Sequence, residues 1–165
     1  VVAAAVILRP GIVIPGLRDS KLLTPSRRRR LVRPILAACQ AWGLGAVAPA
    51  GIDRWNIRRA SFRAMRLAIA RLSPPPDHVL VDGFRIPGFR IAQTPLIGGD
   101  RRCRSIAAAS VIAKVARDRR MDRYHLSFPQ YGFDKNRGYP TPEHLEALGR
   151  NGVCVLHRRT FAPVR

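Results

Sequence analysis

Short apolar runs alternate along this chain with longer segments of helical spacing, and that alternation constrains the fold more than any single motif. Residues 1–8 (VVAAAVIL) form a continuous apolar run suited to a buried strand. Residues 78–81 form a second run ending in Asp82-Gly83, and residues 90–97 a third ending in Gly98-Gly99-Asp100. Residues 12–14 read as a continuation or partner of the first run, before a Pro15-Gly16 turn. Residues 45–48 read as a further short strand. Thr24-Pro25 supplies an N-cap and a first-turn proline for a helix expected to reach Trp42 and end at Gly43, with Pro34 kinking or shortening it. From Asn56 to Leu72, Ile57, Ala60, Ala64, Met65, Ala68, Ile69 and Leu72 keep helical spacing while arginines occupy much of the rest, and the prolines at 74–76 stop it. Ser105 is expected to cap a helix running to about Tyr124. Thr141-Pro142 starts another that Gly149 or Gly152 ends. Interleaved strands and helices make the class α/β.

The length, 165 residues, suits a single domain over 1–165, and 47% hydrophobic residues supply its core. Thirty Lys and Arg against ten Asp and Glu leave a formal charge of +20. Such a field attracts polyanions, so a nucleic-acid partner is the favoured reading, ahead of an arginine-rich solubilising surface. Cys39, Cys103 and Cys154 are odd in number and far apart. They match neither a zinc spacing nor a disulfide framework, which suggests a reducing, cytoplasmic setting. The first apolar run is too short to span a membrane, and no membrane partner is expected. The chain starts without Met inside an apolar run, and on that ground its natural N-terminus is expected to be missing.

Acids are scarce here, so their placement is informative. Asp82 and Asp100 each end an apolar strand beside glycines. If the strands are neighbours, both carboxylates emerge from one edge a few ångströms apart, where hard oxygen ligands in a basic protein select Mg²⁺ or Mn²⁺. Asp-Gly after a strand is otherwise an ordinary turn. The segment 131–139 (YGFDKNRGY) mixes aromatics, glycines and cations, a combination that either stacks on nucleic acid or packs onto the domain. Asp19-Ser20-Lys21 is a polar turn that says little alone. The arginines at 27–30 read as a solvated helix start, and His144 and His157 as hydrogen-bonded structural residues rather than metal ligands.

Taken together, these stretches resemble bacterial ribonuclease HII, the type 2 ribonuclease H. The similarity runs through VVAAAVIL, GLRDSKLLTP, IDRWNI, HVLVDG, the Gly99-Asp100 pair, SIAAASVIAKVARDRRM, YGFDKNRGYPTPEHLEAL and HRRTFAPV, and covers nearly the whole chain. The resemblance implies an RNase H-like mixed sheet flanked by helices. It also implies an endonuclease that cuts the RNA strand of RNA/DNA hybrids, and cuts 5′ of ribonucleotides embedded in duplex DNA, leaving 3′-hydroxyl and 5′-phosphate ends. The family's four acids bind two Mg²⁺ or Mn²⁺ ions. Two of them map to Asp82 and Asp100. Tyr139 maps to a tyrosine that packs on the sugar beside the ribonucleotide, and Ser20, Lys21 and Arg102 to substrate-binding positions.

The other two acids, an adjacent Asp-Glu on a central first strand, have no match here, nor does a Gly-Arg-Gly element that reads the 2′-hydroxyl. Without that strand, a gap of two strand spacings, about 10 Å, is expected between runs 1–8 and 78–81, with unpaired backbone on both sides. The chain by itself is therefore expected to be inactive, marginally stable and monomeric. The alternative is a non-catalytic nucleic-acid-binding remnant. Leu22, Phe84, Gly98 and Cys103 stand where the family usually carries Lys, Asn, Lys and Ser.

Overall fold

The computed structural model describes residues 1–162 and 164; Pro163, inside the HRRTFAPV stretch, and Arg165 lie outside the described residues. In chain order the elements are β1 (Val2–Leu8), α1 (Pro25–Ala38), β2 (Cys39–Ala46), α2 (Pro49–Ile69), β3 (His78–Asp82) and β4 (Ala92–Leu96), then α3 (Gly99–Arg102), α4 (Arg104–Ser127), α5 (Phe133–Asn136) and α6 (Pro142–Asn151). The architecture is the expected α/β interleaving, and its sheet is divided at the expected gap between the first and third strands. Among the described residues there are two two-stranded sheets, β1 antiparallel to β2 and β3 parallel to β4.

Side chains of β1 alternate between two helical layers. Ala4, Val6 and Leu8 pack with α1 and α4 around Ile35, Val111 and Ile112, whereas Ala5 and Ile7 pack with Ile69 and Leu72 at the end of α2 and with Val81 of β3. This is the period-two pattern of a strand buried on both faces. The free edges of β1 and β3 do not meet. Between them lies a cavity of about 700 Å³, lined by both strands and by Ile106, Ala109 and Ser110 of α4 and Met65 and Ile69 of α2.

Two sequence expectations fail around residue 40. The helix expected to reach Trp42 stops at Ala38, with Pro34 inside it, and residues 39–46 form β2 rather than a strand at 45–48. Gly43 is therefore not a helix terminator. It and Gly45 lie on the face of β2 that α2 covers, where an added Cβ would overlap the carbonyl oxygens of Ala68 and Ala64. Ala60, Ala64 and Ala68 are fully buried along the facing stripe of α2. Small residues on both sides let helix and strand backbones approach closely. No strand forms at 12–14; Ile14 is instead buried against α1 and α4.

The other helices lie close to expectation. Thr24 and Thr141 are N-caps, each accepting from the amide three residues on. Helix α6 ends at Gly152. Helix α4 is longer than expected and begins one residue before Ser105, which is not its cap. Helix α2 begins earlier than expected and is interrupted at Asn56 (φ 65°), whose Oδ1 accepts from Arg59 N and so caps the second segment. Beside that interruption, Asp53 accepts from the amides of Arg159 and Thr160 and from the Thr160 hydroxyl, tying residues after α6 back to α2.

Candidate active site

The two strand-end acids do come together. β3 and β4 pair in parallel with Asp82 opposite Leu96, so Asp82 and the turn carrying Asp100 leave the sheet at the same carboxyl-terminal edge. In open α/β sheets that edge is where ligands bind. Gly99 N donates to Asp82 Oδ1 at 3.0 Å, joining the two turns directly. Any side chain at Gly99 would press on Ile106 at the start of α4.

A third carboxylate, which the sequence reading passed over, completes the cluster. Asp19 is 2% exposed and near enough to Asp100 for its charge to act on that carboxyl. Its Oδ1 accepts from Lys21 N at 2.9 Å, and Arg101 Nε lies 3.4 Å from its Oδ2. The amide bond to Lys21 is the main influence holding Asp19 below the usual carboxylate range, outweighing its burial. Asp100 is pushed the other way, first by burial and then by the charges of Asp19 and Asp82. Three acids of like sign thus converge, and Arg101 pairs with one of them, Asp19.

The remaining expected site residues divide. Ser20 is buried, and its carbonyl accepts from Arg28 Nη1 at 2.9 Å, while Lys21 is exposed beside the acids. Arg102 is exposed and makes no contact with the carboxylates among the described interactions; its neighbour Arg101 does. Arg28 corrects the reading of residues 27–30 as simply solvated. It is 8% exposed, donates to the carbonyls of Ser20 and Leu23, and pairs with Asp118 of α4 at 3.6 Å. Arg28 therefore pins the Asp19 turn against α4. Only the neighbouring arginines match the expectation of a solvated face.

The 131–139 segment splits between its two anticipated roles. Tyr131 and Phe133 are buried core residues, whereas Tyr139 is 55% exposed. The Tyr139 ring lies under Lys114 and Arg117 of α4, 5.9 and 5.1 Å from its centroid. Tyr139 thus sits further along α4 than the acids, which gather near that helix's start. His144 and His157 are buried and hydrogen-bonded to each other and to backbone, as expected of structural histidines. On α2, Arg54 and Arg63 both lie over the Trp55 ring, and Arg58 lies over Phe62 and Phe84. No helix of the described residues is long and apolar enough to cross a membrane.

Comparison with known proteins gives the family and the fold. The family model described as Ribonuclease HII matches residues 1–164. A Ribonuclease HII from Moorella thermoacetica is 55% identical over 98% of this chain and 78% of its own length. One from Geobacillus thermodenitrificans is 53% identical over the whole chain, which spans 63% of that relative's length. The crystal structure of ribonuclease H2 from Pyrococcus horikoshii OT3 superposes with a TM-score of 0.77 at 21% identity, covering 100% of this chain and 96% of that one. RNase HII from Archaeoglobus fulgidus, solved in complex with PCNA, gives 0.64 at 22% identity over 87% and 77%. At such identities the structures speak for the fold alone. The family rests on the sequence matches, and by them this chain belongs to the Ribonuclease HII family.

Proposed function

We propose that this chain carries the acid-bearing edge and the nucleic-acid face of a metal-dependent endoribonuclease. Its substrate would be the RNA strand of an RNA/DNA hybrid, or a ribonucleotide embedded in duplex DNA, cut on its 5′ side. The observation that carries the proposal is the convergence of Asp82 and Asp100 at one edge of a parallel strand pair, in a protein of charge +20. Like charges held together in that way are best matched by a hard divalent cation, Mg²⁺ or Mn²⁺. The donors are of the right kind for part of such a site: two carboxylates, with Asp19 behind Asp100. When bound, the ion supplies Lewis-acid stabilisation of phosphate oxygens and an activated water. Asp82 and Asp100 would hold it, and Arg101 and the Lys21 amide would keep Asp19 oriented. Lys21, exposed beside the acids, is placed to meet a phosphate. The Tyr139 ring, flanked by two cations, is suited to stack on a sugar or base while the cations meet the backbone.

Among the described residues no group of three or more His, Cys, Asp or Glu side chains is arranged to hold a metal ion. We infer that more carboxylates are needed, and that an additional strand between β1 and β3 supplies them. Support comes from the cavity there, whose walls are two strands with unpaired edges. One added strand satisfies both edges at once, and the Asp-Glu pair implied by the family resemblance would then lie beside Asp82. On this reading the 165 residues alone do not cut.

The test incubates this chain, and the same chain extended upstream through an Asp-Glu motif, with Mg²⁺ or Mn²⁺ and a labelled DNA duplex containing one ribonucleotide. The extended protein should cut 5′ of the ribonucleotide, and Asp82→Asn should lower its rate at least ~100-fold. An extended, folded protein that binds the duplex without cutting it would overturn the nuclease reading in favour of a binding remnant.

A further inference from the structure

The C-terminal part of the chain buries two histidines whose hydrogen bonds favour one pair of tautomers while the rings are neutral. Cys154 N–H donates to His157 Nδ1 at 3.0 Å, and the Cys154 thiol, 3.2 Å from the same nitrogen, can donate to it as well, so the ring proton of neutral His157 sits on Nε2. That Nε2 is 3.2 Å from His144 Nε2, which must therefore accept. The proton of His144 is then on Nδ1, 2.9 Å from the carbonyl oxygen of Tyr139, an atom that can only accept. Both ends of the chain of bonds demand the same pair of tautomers. The rings are held in place by Tyr131, edge-on to His157 at 4.8 Å, and Phe133, perpendicular to His144 at 5.6 Å.

What this relay reaches is the backbone of an exposed aromatic residue. Tyr139 has both peptide groups committed: its N–H donates to Asn136 O at 2.9 Å, and its carbonyl accepts from Thr141 N and from His144. Asn136 is itself buried, donating to Tyr131 O and accepting from Gly138 N. With the backbone clamped on both sides, the Tyr139 side chain keeps only its own two torsions. Preorganisation of this kind removes ordering cost from binding.

We propose that His144 and His157 are positioning residues for Tyr139, a one-way hydrogen-bond relay from the Cys154 amide to the Tyr139 carbonyl that aims the ring at the nucleic acid. The proposal rests on the reading of Tyr139 as a substrate-stacking residue, so its test separates the two.

The relay is read first, in multiple-bond ¹H–¹⁵N spectra of the imidazole rings of the full chain near neutral pH. His144 should carry its proton on Nδ1 and His157 on Nε2; the opposite tautomer, or a rapidly exchanging mixture, at either ring overturns the relay. The function is then read by fluorescence anisotropy in Ca²⁺ on the chain extended upstream through the Asp-Glu and Gly-Arg-Gly motifs, comparing a DNA duplex that carries one ribonucleotide with its all-DNA counterpart. Tyr139→Ala should reduce the preference for the ribonucleotide duplex about tenfold. His144→Phe should reduce it as much, and the double variant no further. His144→Asn, whose amide can donate from near the Nδ1 position, should retain most of it. If His144→Phe folds and keeps the preference that Tyr139→Ala loses, the positioning role fails. It also fails if His144→Asn loses as much as His144→Phe, because packing alone then accounts for the effect. Should Tyr139→Ala leave the preference unchanged, the reading of Tyr139 falls and the positioning role with it. If His144→Phe does not fold, the spectra and His144→Asn still decide.

Discussion

Two clusters of titratable side chains sit in this molecule, and they are built on opposite principles. At the ends of β3 and β4, Asp19, Asp82 and Asp100 are like-charged groups pressed together, and Asp100 is raised by burial and by its neighbours' charges. In α6 and after it, His144 and His157 are buried, yet every ring nitrogen has a complementary partner. The histidine cluster is satisfied from within the chain and holds structure. The acid cluster is left with a conflict that a cation from outside would relieve, as the proposed metal-binding role requires.

Breaking the satisfied cluster should produce the largest change in stability. His157→Ala leaves a cavity beside Tyr131 and Phe133 and strips partners from Cys154 N–H and His144, and should cost about 3 kcal/mol in urea unfolding. The acid cluster should respond to its missing cation. In the chain extended upstream through the Asp-Glu motif, Mg²⁺ or Mn²⁺ at about ten times the dissociation constant should stabilise the protein by about 1.4 kcal/mol, and this gain should vanish in Asp82→Asn and Asp100→Asn, as read by thermal melting with and without chelator. If the cation stabilises all three proteins equally, the contrast between the clusters is wrong. Without metal, Asp100→Asn should do the reverse of His157→Ala and raise the melting temperature by a few degrees, because it removes one of the repelling charges.

The smallest effect is that of pH on His157. Burial, and then the proximity of His144, hold it below the usual histidine value, and Tyr131 and Phe133 cover the ring. The unfolded chain therefore takes up the proton first. This contribution to stability is fully present above about pH 6.5, the unfolded value, and is lost as pH falls from there through the lower folded value. Wild type should lose stability between pH 7.5 and 5.5, and His157→Phe should lose less over the same range.

Much of the site was legible because its signals are local. Asp82 and Asp100 each follow an apolar run and sit beside glycine, and a parallel pairing of those runs suffices to bring them together. Thr24, Thr141 and Gly152 mark helix ends through bonds that span three or four residues, so sequence alone places them. The buried arginine among residues 27–30 was not legible. Nothing local separates Arg28 from Arg27 or Arg29; what separates them is that α4 passes on one side and presents Asp118. Asp19 was missed for the same reason. As part of a polar turn it reads as ordinary, and only the fold sets it against Asp100. The choice of Arg102 over Arg101 was a matter of which side of a four-residue helix faces the acids, and spacing does not show that.

By itself, then, the sequence determined the α/β class, the family, the two acids at the strand ends and most helix boundaries, all of which follow from neighbours along the chain or from motif order. Tertiary structure decided the rest. Residues 39–42 became strand because pairing with β1 and the close approach of α2 at Gly43 and Gly45 outweighed helical continuation. The third carboxylate, the Arg28 anchor and the histidine relay to Tyr139 all join residues distant in sequence. Such pairings depend on which surfaces the packed elements present to one another, and a linear pattern does not encode that.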